Sequence, residues 1–338
     1  MKKNKKIVLI FTILFVILAS GCGKKTTIDQ SDVQRYAWPL GTASPEDTVT
    51  QIYAQKFADE VERLSNGTMK IQVYPNSTIG GDVELLESCK AGDIPFVVQN
   101  TAPQVSFMPK IAIFDLPCAY QTIDEVRKAI DNEAFYSLIQ DVYDKGGYKL
   151  LGYADQEFRV MTSNIKIEKL SDFKGIKIRT MENTYHIAFW NSLGANPTPM
   201  TFSEVYIGLQ QGTIDAQENP YEVITSSKLY EQQKYVININ HLPHLISLIV
   251  SDEFYQSLPI EKQMIIDEAA KTAKSYAREA ADERVIEKKQ AITASGTEIY
   301  DITEGLYQDI KEASSPVYDK IEEVAGEELV NTYLEAGK

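Results

Sequence analysis

Arg179 closes a short apolar run in which Ile176 and Ile178 read as a strand. Further on, a second short strand, Thr213–Gln217, runs into Glu218, Asn219 and Pro220. An Arg and an Asn are thus delivered to one edge of a sheet. In open α/β sheets the carboxyl edge is where small ligands sit. The chemistry such a pair supports is anion holding: a guanidinium presents a planar fork that matches a carboxylate, which an ammonium cannot do. On residue type alone, an Arg at a strand end reads first as a surface cap, and an Asn before Pro closes turns. A further arginine, Arg159, sits in Glu157-Phe158-Arg159-Val160, with Glu157 and Asp155 as alternative ion-pair partners. Trp38 either stacks on a ligand or joins a core. Tyr206 and Tyr221 are candidate hydroxyl donors, and Trp190, on the same helical face as Ile187, reads as core.

Other chemistries find little support. His241 and His244 flank Leu242-Pro243, which breaks a helix, so they lack the spacing of a helical metal pair. There is no Cys–His cluster, Gly-rich phosphate loop or nucleophile elbow, and no cofactor is expected. Beyond Cys22, the chain has only Cys89 and Cys118. An exported protein can hold a disulfide, but nothing local joins these two, and free buried thiols are expected.

The elements that position these residues follow from periodicity. Between Arg179 and Thr213 lie an amphipathic helix through Tyr185, Ile187, Ala188, Phe189 and Trp190, a stiff loop at Gly194–Pro199, and a helix opening at Ser203. Upstream, Arg35–Trp38 reads as a strand, and Pro45 as the first residue of a helix. That helix carries Val49, Ile52, Tyr53, Phe57, Val61 and Leu64 on one face and stops at Ser65-Asn66-Gly67. Met69, Ile71 and Val73 alternate with polar residues as a strand, a helix spans Asp82–Ala91, and Ile94–Val98 is a buried strand that leads to Asn100. This β-α-β-α-β order implies a parallel sheet with helices on its faces. A capping box at Thr122–Glu125 opens a helix to about Asp144. Strands follow at Tyr148–Tyr153 and Phe158–Thr162, with a first crossing between lobes at Ala154–Gln156. A strand at Tyr235–Ile239 precedes a return crossing at His241–Ile246, and Ile246–Val250 is a strand of the first lobe. Pro259 opens a helix to Ala294, roughly 35 residues and about 50 Å at 1.5 Å per residue. It is longer than a small lobe is wide, and no heptad is sustained as in a coiled coil. A last strand, Thr297–Asp301, and two helices, around Gly305–Ala313 and Pro316–Leu334, end the chain.

The chain has 338 residues, which suggests two domains, and its 43% hydrophobic and 24% charged residues are ordinary for a globular protein. Its start differs. A basic MKKNKK, the apolar run Ile7–Leu18 and the small residues Ala19-Ser20-Gly21 precede Cys22. The run is shorter than the roughly 20 residues that cross a bilayer, so it reads as a signal peptide. A Cys directly after small residues resembles a lipobox, which places a lipid on Cys22 after cleavage; the alternative is a plain signal peptide that contains a Cys. A polar tether without periodicity follows. Removing the leader's four Lys, which have no acidic partner, takes the formal net charge from −14 to −18. So acidic a protein is unsuited to nucleic acid. An anionic ligand remains compatible, because a buried Arg can oppose the global field.

The segments LGANPTPM (193–200), FSEVY (202–206), GLQQG (208–212) and DAQENP (215–220), with Gly80-Gly81-Asp82, PKIAIFDLP (109–117) and FRVMTSN (158–164), resemble the extracytoplasmic solute-binding proteins of TRAP transporters. The resemblance extends from about Val33 onward. It implies an α/β, two-lobed periplasmic-binding-protein-like fold with a long helix spanning both lobes. It also implies that an organic acid with a carboxylate is captured and handed to TRAP membrane subunits. The family's signature arginine falls on Arg179, its second ligand-facing arginine on Arg159, and the Asn that completes its carboxylate site on Asn219. Phe202 resembles its aromatic pocket wall. Asn100 stands where some sugar-acid binders of the family carry an acidic residue. Gln217 or Glu218 would serve the hinge, Glu182 and Asn183 would reach ligand hydroxyls, and Glu204 would hold a helix start or Arg179. The expected organisation is a signal peptide at 1–21, a lipidated tether at 22–32, one lobe of 33–155 plus 246–285, and another of 156–245 plus 286–338.

The leading expectation is a lipid-anchored, extracytoplasmic binding protein without catalysis that closes on a C4-dicarboxylate, a 2-oxo acid or a sugar acid. One alternative is an exported hydrolase of acidic sugars, which would require two placed carboxylates at the sugar. Another is a ligand sensor for a receptor. Turnover of a bound acid would mark the first, and the absence of neighbouring transport genes the second.

Overall fold

A computed structural model describes residues 35–338; the expected signal peptide, Cys22 and its tether lie outside the described residues. Two sheets carry the chain. The first half contributes β1 (Tyr36–Gly41), α1 (Val49–Leu64), β2 (Met69–Tyr74), α2 (Asp82–Ala91), β3 (Phe96–Asn100), α3 (Ile123–Asp131), α4 (Glu133–Gly146) and β4 (Tyr148–Phe158). Next come β5 (Val160–Ser163), β6 (Lys177–Thr180), α5 (Thr184–Ser192), β7 (Asn196–Pro199), α6 (Val205–Gln211), β8 (Ala216–Asn219), α7 (Tyr221–Ser226) and β9 (Tyr235–Asn238). The chain then forms β10 (Pro243–Ser251), α8 (Asp252–Ser257), α9 (Ile260–Ala294), β11 (Glu298–Asp301), α10 (Glu304–Ala313), α11 (Ser315–Ala325) and α12 (Glu327–Ala336).

The first sheet has the order β2-β1-β3-β10-β4 and the second β11-β9-β5-β8-β6-β7. As the β-α-β-α-β order implies, β1 is parallel to β2 and β3; the returning β10 is antiparallel to β3 and β4. In the second sheet β5 is antiparallel to its neighbours β8 and β9, while β6 is parallel to β7 and β8. The 35-residue α9 packs near its start on α1 and β4 and near its end on α7 and β11. Its stripe of buried Ala269, Ala270, Ala273, Ala277 and Ala281 joins the core formed with α1's Tyr53, Phe57 and Val61.

Several expectations are corrected. Pro45 does not open α1: Thr48 caps it, accepting from the Gln51 N–H at 3.3 Å while its hydroxyl bonds the Pro45 carbonyl at 2.7 Å. The helix from the Thr122–Glu125 capping box breaks at Asn132, which ends α3 and caps α4 by accepting from the Phe135 N–H at 3.1 Å. The Gly194–Pro199 loop contains β7, paired with β6; two prolines are tolerated because β7 is an edge strand. Gly326, at φ 90, divides the last helix in two.

The changes of sheet also differ. β4 continues through Asp155 and Gln156, still paired to β10, and the chain changes sheet at Arg159 rather than at Ala154–Gln156. The return falls between Asn238 and Pro243. Each crossing carries a non-glycine residue at positive φ, Glu157 at 64° and Asn240 at 51°, a conformation that needs support from its surroundings. Polar residues hid the strand's length: Asp155 is buried in it because Arg127 pairs with both its oxygens, at 2.8 and 3.0 Å. Finally, residues 286–338 are not all companions of the second sheet. α12 packs on α3 and α4, and its Tyr333 sits against Phe114, Tyr120 and Phe135.

Candidate functional site

The parallel strands β6 and β8 end at the same level, which brings Arg179 and Asn219 to one edge. Facing them are the carboxyl ends of β1 and β3, with the turn through Ala43 and Pro45 and with Asn100. Two contiguous hollows lie between, sharing Ala43, Asp82, Arg179, Met181 and Phe202. The inner holds about 30 Å³ and the outer about 270 Å³. Such a space suits a small solute, at the lower end of the roughly 300–1,000 Å³ of ligand sites.

Arg179 is 2% exposed. Its Nε and Nη2 both donate to the Met200 carbonyl, at 3.0 and 2.7 Å, so one edge of the guanidinium is fixed by the backbone that follows β7. Nη1 is buried and has no hydrogen-bond partner among the described residues. The end-on fork of Nη1 and Nη2 is therefore oriented for a planar anion. The guanidinium lies 5.9 Å from the Phe202 ring centre, which adds a cation–π contact. Burial pushes its pKa down to about 10, so the group stays charged near neutral pH.

Beneath this wall lies a buried charged network. Arg159, 1% exposed, pairs through Nε and Nη2 with the Glu218 carboxylate, the Nη2–Oε1 bond being 2.8 Å. Nη2 also reaches the Glu218 carbonyl at 2.7 Å and Asn219 Oδ1 at 3.2 Å, while Nη1 lies 2.5 Å from His244 Nδ1. Asn219 Nδ2 donates to Gln217 Oε1 at 2.6 Å, so the amide is held from both sides. His241 Nε2 is 3.2 Å and His186 Nδ1 3.7 Å from Glu218. Burial alone would raise the Glu218 carboxyl; the Arg159 charge and the two rings outweigh it and hold the group well below the usual carboxylate range. Burial would lower His186, but Asp115, 3.1 Å from its Nε2, and Glu218 raise it to about 9. Burial, reinforced by Arg159, keeps His244 neutral.

Local sequence explains the placement of the opposite wall. Gly80 adopts φ 140°, a conformation suited to glycine, and the turn sets Asp82 at the start of α2. Gly41, at the end of β1, admits Leu85 of α2 where a side chain would collide. Asp82 thereby reaches both hollows half-buried. Burial pushes its carboxyl up to about 6, against the pull of Arg179. Asn100 is fixed by bonds of 2.9 Å to the Leu245 carbonyl and the Ala102 N–H. Two ties join the sides. Asn183, which caps α5, donates to the Ala102 carbonyl at 2.9 Å and to Asp115 at 2.7 Å. Asp47, in the turn before α1, pairs with Arg284 and with Lys288 (2.5 Å) of α9, and its carbonyl accepts from Ser226 of α7.

Of the residues expected at the site, Arg179, Asn219, Asn100 and Phe202 converge on the hollows. Arg159 does not line them; it supports Asn219 and His244 from behind, and its partner is Glu218, not Glu157 or Asp155. Trp38 lies elsewhere, edge-on to Phe254 at 5.2 Å and beside Phe96. The Tyr206 hydroxyl donates to Glu231 at 2.8 Å, and that of Tyr221 donates to Asn238. Glu182 reaches the outer hollow, and Trp190 is core, as read. Cys89 and Cys118 are buried and unpaired. Asp82, His244 and the Asp115–His186 pair were missed; for Asp82, a carboxylate just after Gly-Gly at a helix start was the available signal. Among the described residues no helix is long and apolar enough to cross a membrane.

Residues 40–324 match the model of the family described as bacterial extracellular solute-binding protein, family 7. The chain is 32% identical over 283 residues to the C4-dicarboxylate-binding periplasmic protein DctP of Rhodobacter capsulatus, covering 82% of this chain and 84% of that one. Its structure is similar to that of the sugar acid binding protein DctPAm from Advenella mimigardefordensis in complex with galactonate. That match has TM-score 0.86 and 27% identity and covers 90% of this chain and 99% of the other. A TRAP periplasmic solute-binding protein from Shewanella oneidensis with bound succinate matches with TM-score 0.86 and 28% identity, over 90% of this chain and 100% of the other.

Proposed function

The chain belongs to family 7 of the bacterial extracellular solute-binding proteins, the DctP-like solute receptors of TRAP transporters, and we propose that it captures an organic acid anion between its two sheets and delivers it to TRAP membrane subunits. It is a binding protein, not an enzyme. The observation that carries the ligand reading is the buried Arg179 Nη1, without a partner among the described residues, at the edge where both sheets present their carboxyl ends. In this reading the ligand carboxylate takes the end-on fork of Arg179. Asn219, held by Arg159 and Gln217, adds an amide donor. Arg159 acts through Asn219 and His244 and not by direct contact. Asn100 and Asp82 meet the ligand from the first sheet's side, and Phe202 forms a wall.

Delivery rests on closure. The lobes are organised around the two sheets, with hinges at Glu157–Arg159 and Ile239–Leu242. A ligand that touches both sides favours the closed form, which is the form the membrane subunits recognise. Expulsion of water then strengthens every charge interaction inside. Anchoring by a lipid on Cys22 belongs to the same proposal and rests on the sequence of Met1–Cys22.

The test is a thermal-shift screen of the chain from residue 23 onward against organic acids, followed by calorimetry. A ligand at 100 times its Kd is expected to stabilise the protein by about 2.7 kcal/mol. Small-angle scattering on saturation is expected to give a smaller radius. Absence of a shift with every monocarboxylate, dicarboxylate, 2-oxo acid and sugar acid would refute carboxylate capture; a tight complex with an unchanged profile would refute closure.

A further inference from the structure

We infer that Asp82 is a selectivity residue that favours an acid bearing hydroxyls over one bearing a second carboxylate; the inference rests on the proposed carboxylate site at Arg179. The outer hollow is electrostatically lopsided. Arg179 is its one buried cation among the described lining residues, and its other charged lining residues are Asp82, Glu84 and Glu182. Asp82 lines both hollows, and it makes no ion pair and no side-chain hydrogen bond among the described residues. The remaining polar side chains of the outer hollow are the hydroxyls of Ser77, Thr201 and Ser203.

An ionised carboxylate accepts hydrogen bonds and donates none. A ligand whose first carboxylate sits on Arg179 therefore presents its remaining groups to acceptors. Hydroxyls satisfy Asp82, whereas a second carboxylate meets like charge in a partly desolvated space, which is costly. Discrimination of this kind arises as much from repelling the wrong ligand as from binding the right one. The fold does not make this choice; the residue that follows Gly80-Gly81 does. The groups facing Asp82 are Arg179, Glu84 and Glu182, of which only Arg179 favours its ionised form, while burial opposes it. As pH falls through about 6, Asp82 gains a proton and becomes a donor, so exclusion of a second carboxylate relaxes there. A ligand ammonium would also satisfy Asp82, but Phe202 is the only Phe, Tyr or Trp among the described residues lining the hollows, and the neutral hydroxyls beside Asp82 complement a polyol chain.

Calorimetry with D-galactonate, succinate, fumarate and the zwitterion ectoine tests this on the wild-type protein, Asp82→Asn and Asp82→Ser. At pH 7.5 the wild type is expected to bind galactonate at least about tenfold tighter than either dicarboxylate, and each substitution to narrow that ratio by about tenfold or more. Lowering the pH to 5.5 is expected to narrow the wild-type galactonate-to-fumarate ratio as well, an arm that requires no variant to fold. Four results overturn the inference while leaving carboxylate capture intact: ratios unchanged in folded variants, tighter dicarboxylate than galactonate binding by the wild type, a wild-type ratio insensitive to pH, or ectoine bound more tightly than galactonate. A wild type that binds no carboxylate overturns capture and this inference together.

Discussion

Replacing Arg179 with Lys removes the fork and keeps the charge. In the structure the guanidinium uses Nε and one Nη2 hydrogen on the Met200 carbonyl, and it still has Nη1 and the outer face of Nη2. A carboxylate there gains two parallel charge-assisted bonds without loss of the backbone tie. An ammonium at the end of a lysine stem cannot serve the Met200 carbonyl and both carboxylate oxygens in that planar geometry. Arg179 is 2% exposed, so the ligand charge is desolvated on binding. Truncating one member of a buried, hydrogen-bonded charge pair costs about 2–5 kcal/mol, which is about 30-fold to several thousand-fold in Kd. Arg179→Ala is expected to lose this in full and Arg179→Lys to recover little of it. Titration calorimetry with the tightest acid of the screen measures both, with thermal unfolding to establish that the variants fold. A guanidinium keeps its charge even where burial opposes it, so wild-type affinity is expected to hold from pH 7 to 9. Arg179→Lys binding within threefold of wild type while folded would refute the clamp.

Three further outcomes are expected. His186 has its pKa raised from 6.5 to about 9, so the stability it contributes is complete below about pH 6.5 and is lost as pH rises towards 9. Its size is on the order of 3 kcal/mol; chemical denaturation should show the decline in wild type and a flattened one in His186→Gln, and a wild-type stability flat across that window would contradict the assignment. Asp47→Asn weakens the ties to Arg284 and Lys288, which are exposed on the Asp47 side; a loss of about 0.2–1 kcal/mol is expected, shrinking at high salt, and an effect independent of salt would count against an ionic tie. Cys22→Ser in the full chain is expected to release the protein from the membrane with ligand affinity unchanged, and undiminished membrane retention, read by fractionation and mass spectrometry of the wild-type N-terminus, would disprove the anchor.

Apolar periodicity and chain punctuation determined much of this protein. The alternation of Met69, Ile71 and Val73 made β2, the Thr122–Glu125 box opened α3, and the run from Pro259 to Ala294 made one helix long enough to contact both sheets. Such features depend on neighbours a few residues away, and local physics is enough to set them. The convergence of Arg179 and Asn219 was legible for a similar reason: parallel strands end at the same edge, so residues near the end of each are brought together by topology. Long-range partners were not legible. Arg159 had acidic neighbours at Asp155 and Glu157, yet Asp155 is taken by Arg127 and Glu157 stands at positive φ, while Glu218, fifty-nine residues along the chain, takes the guanidinium. β4 is longer than its apolar stretch because Arg127 makes Asp155 tolerable inside a sheet. Trp38, Tyr206 and Tyr221 had side chains suited to a ligand wall, but Phe254, Glu231 and Asn238 engage them first. Asp82 entered the cavity because Gly41 lets α2 approach β1. Residue type states what a side chain can do; only the tertiary structure decides which partner desolvates it, and for buried charge that choice sets both the energy and the function.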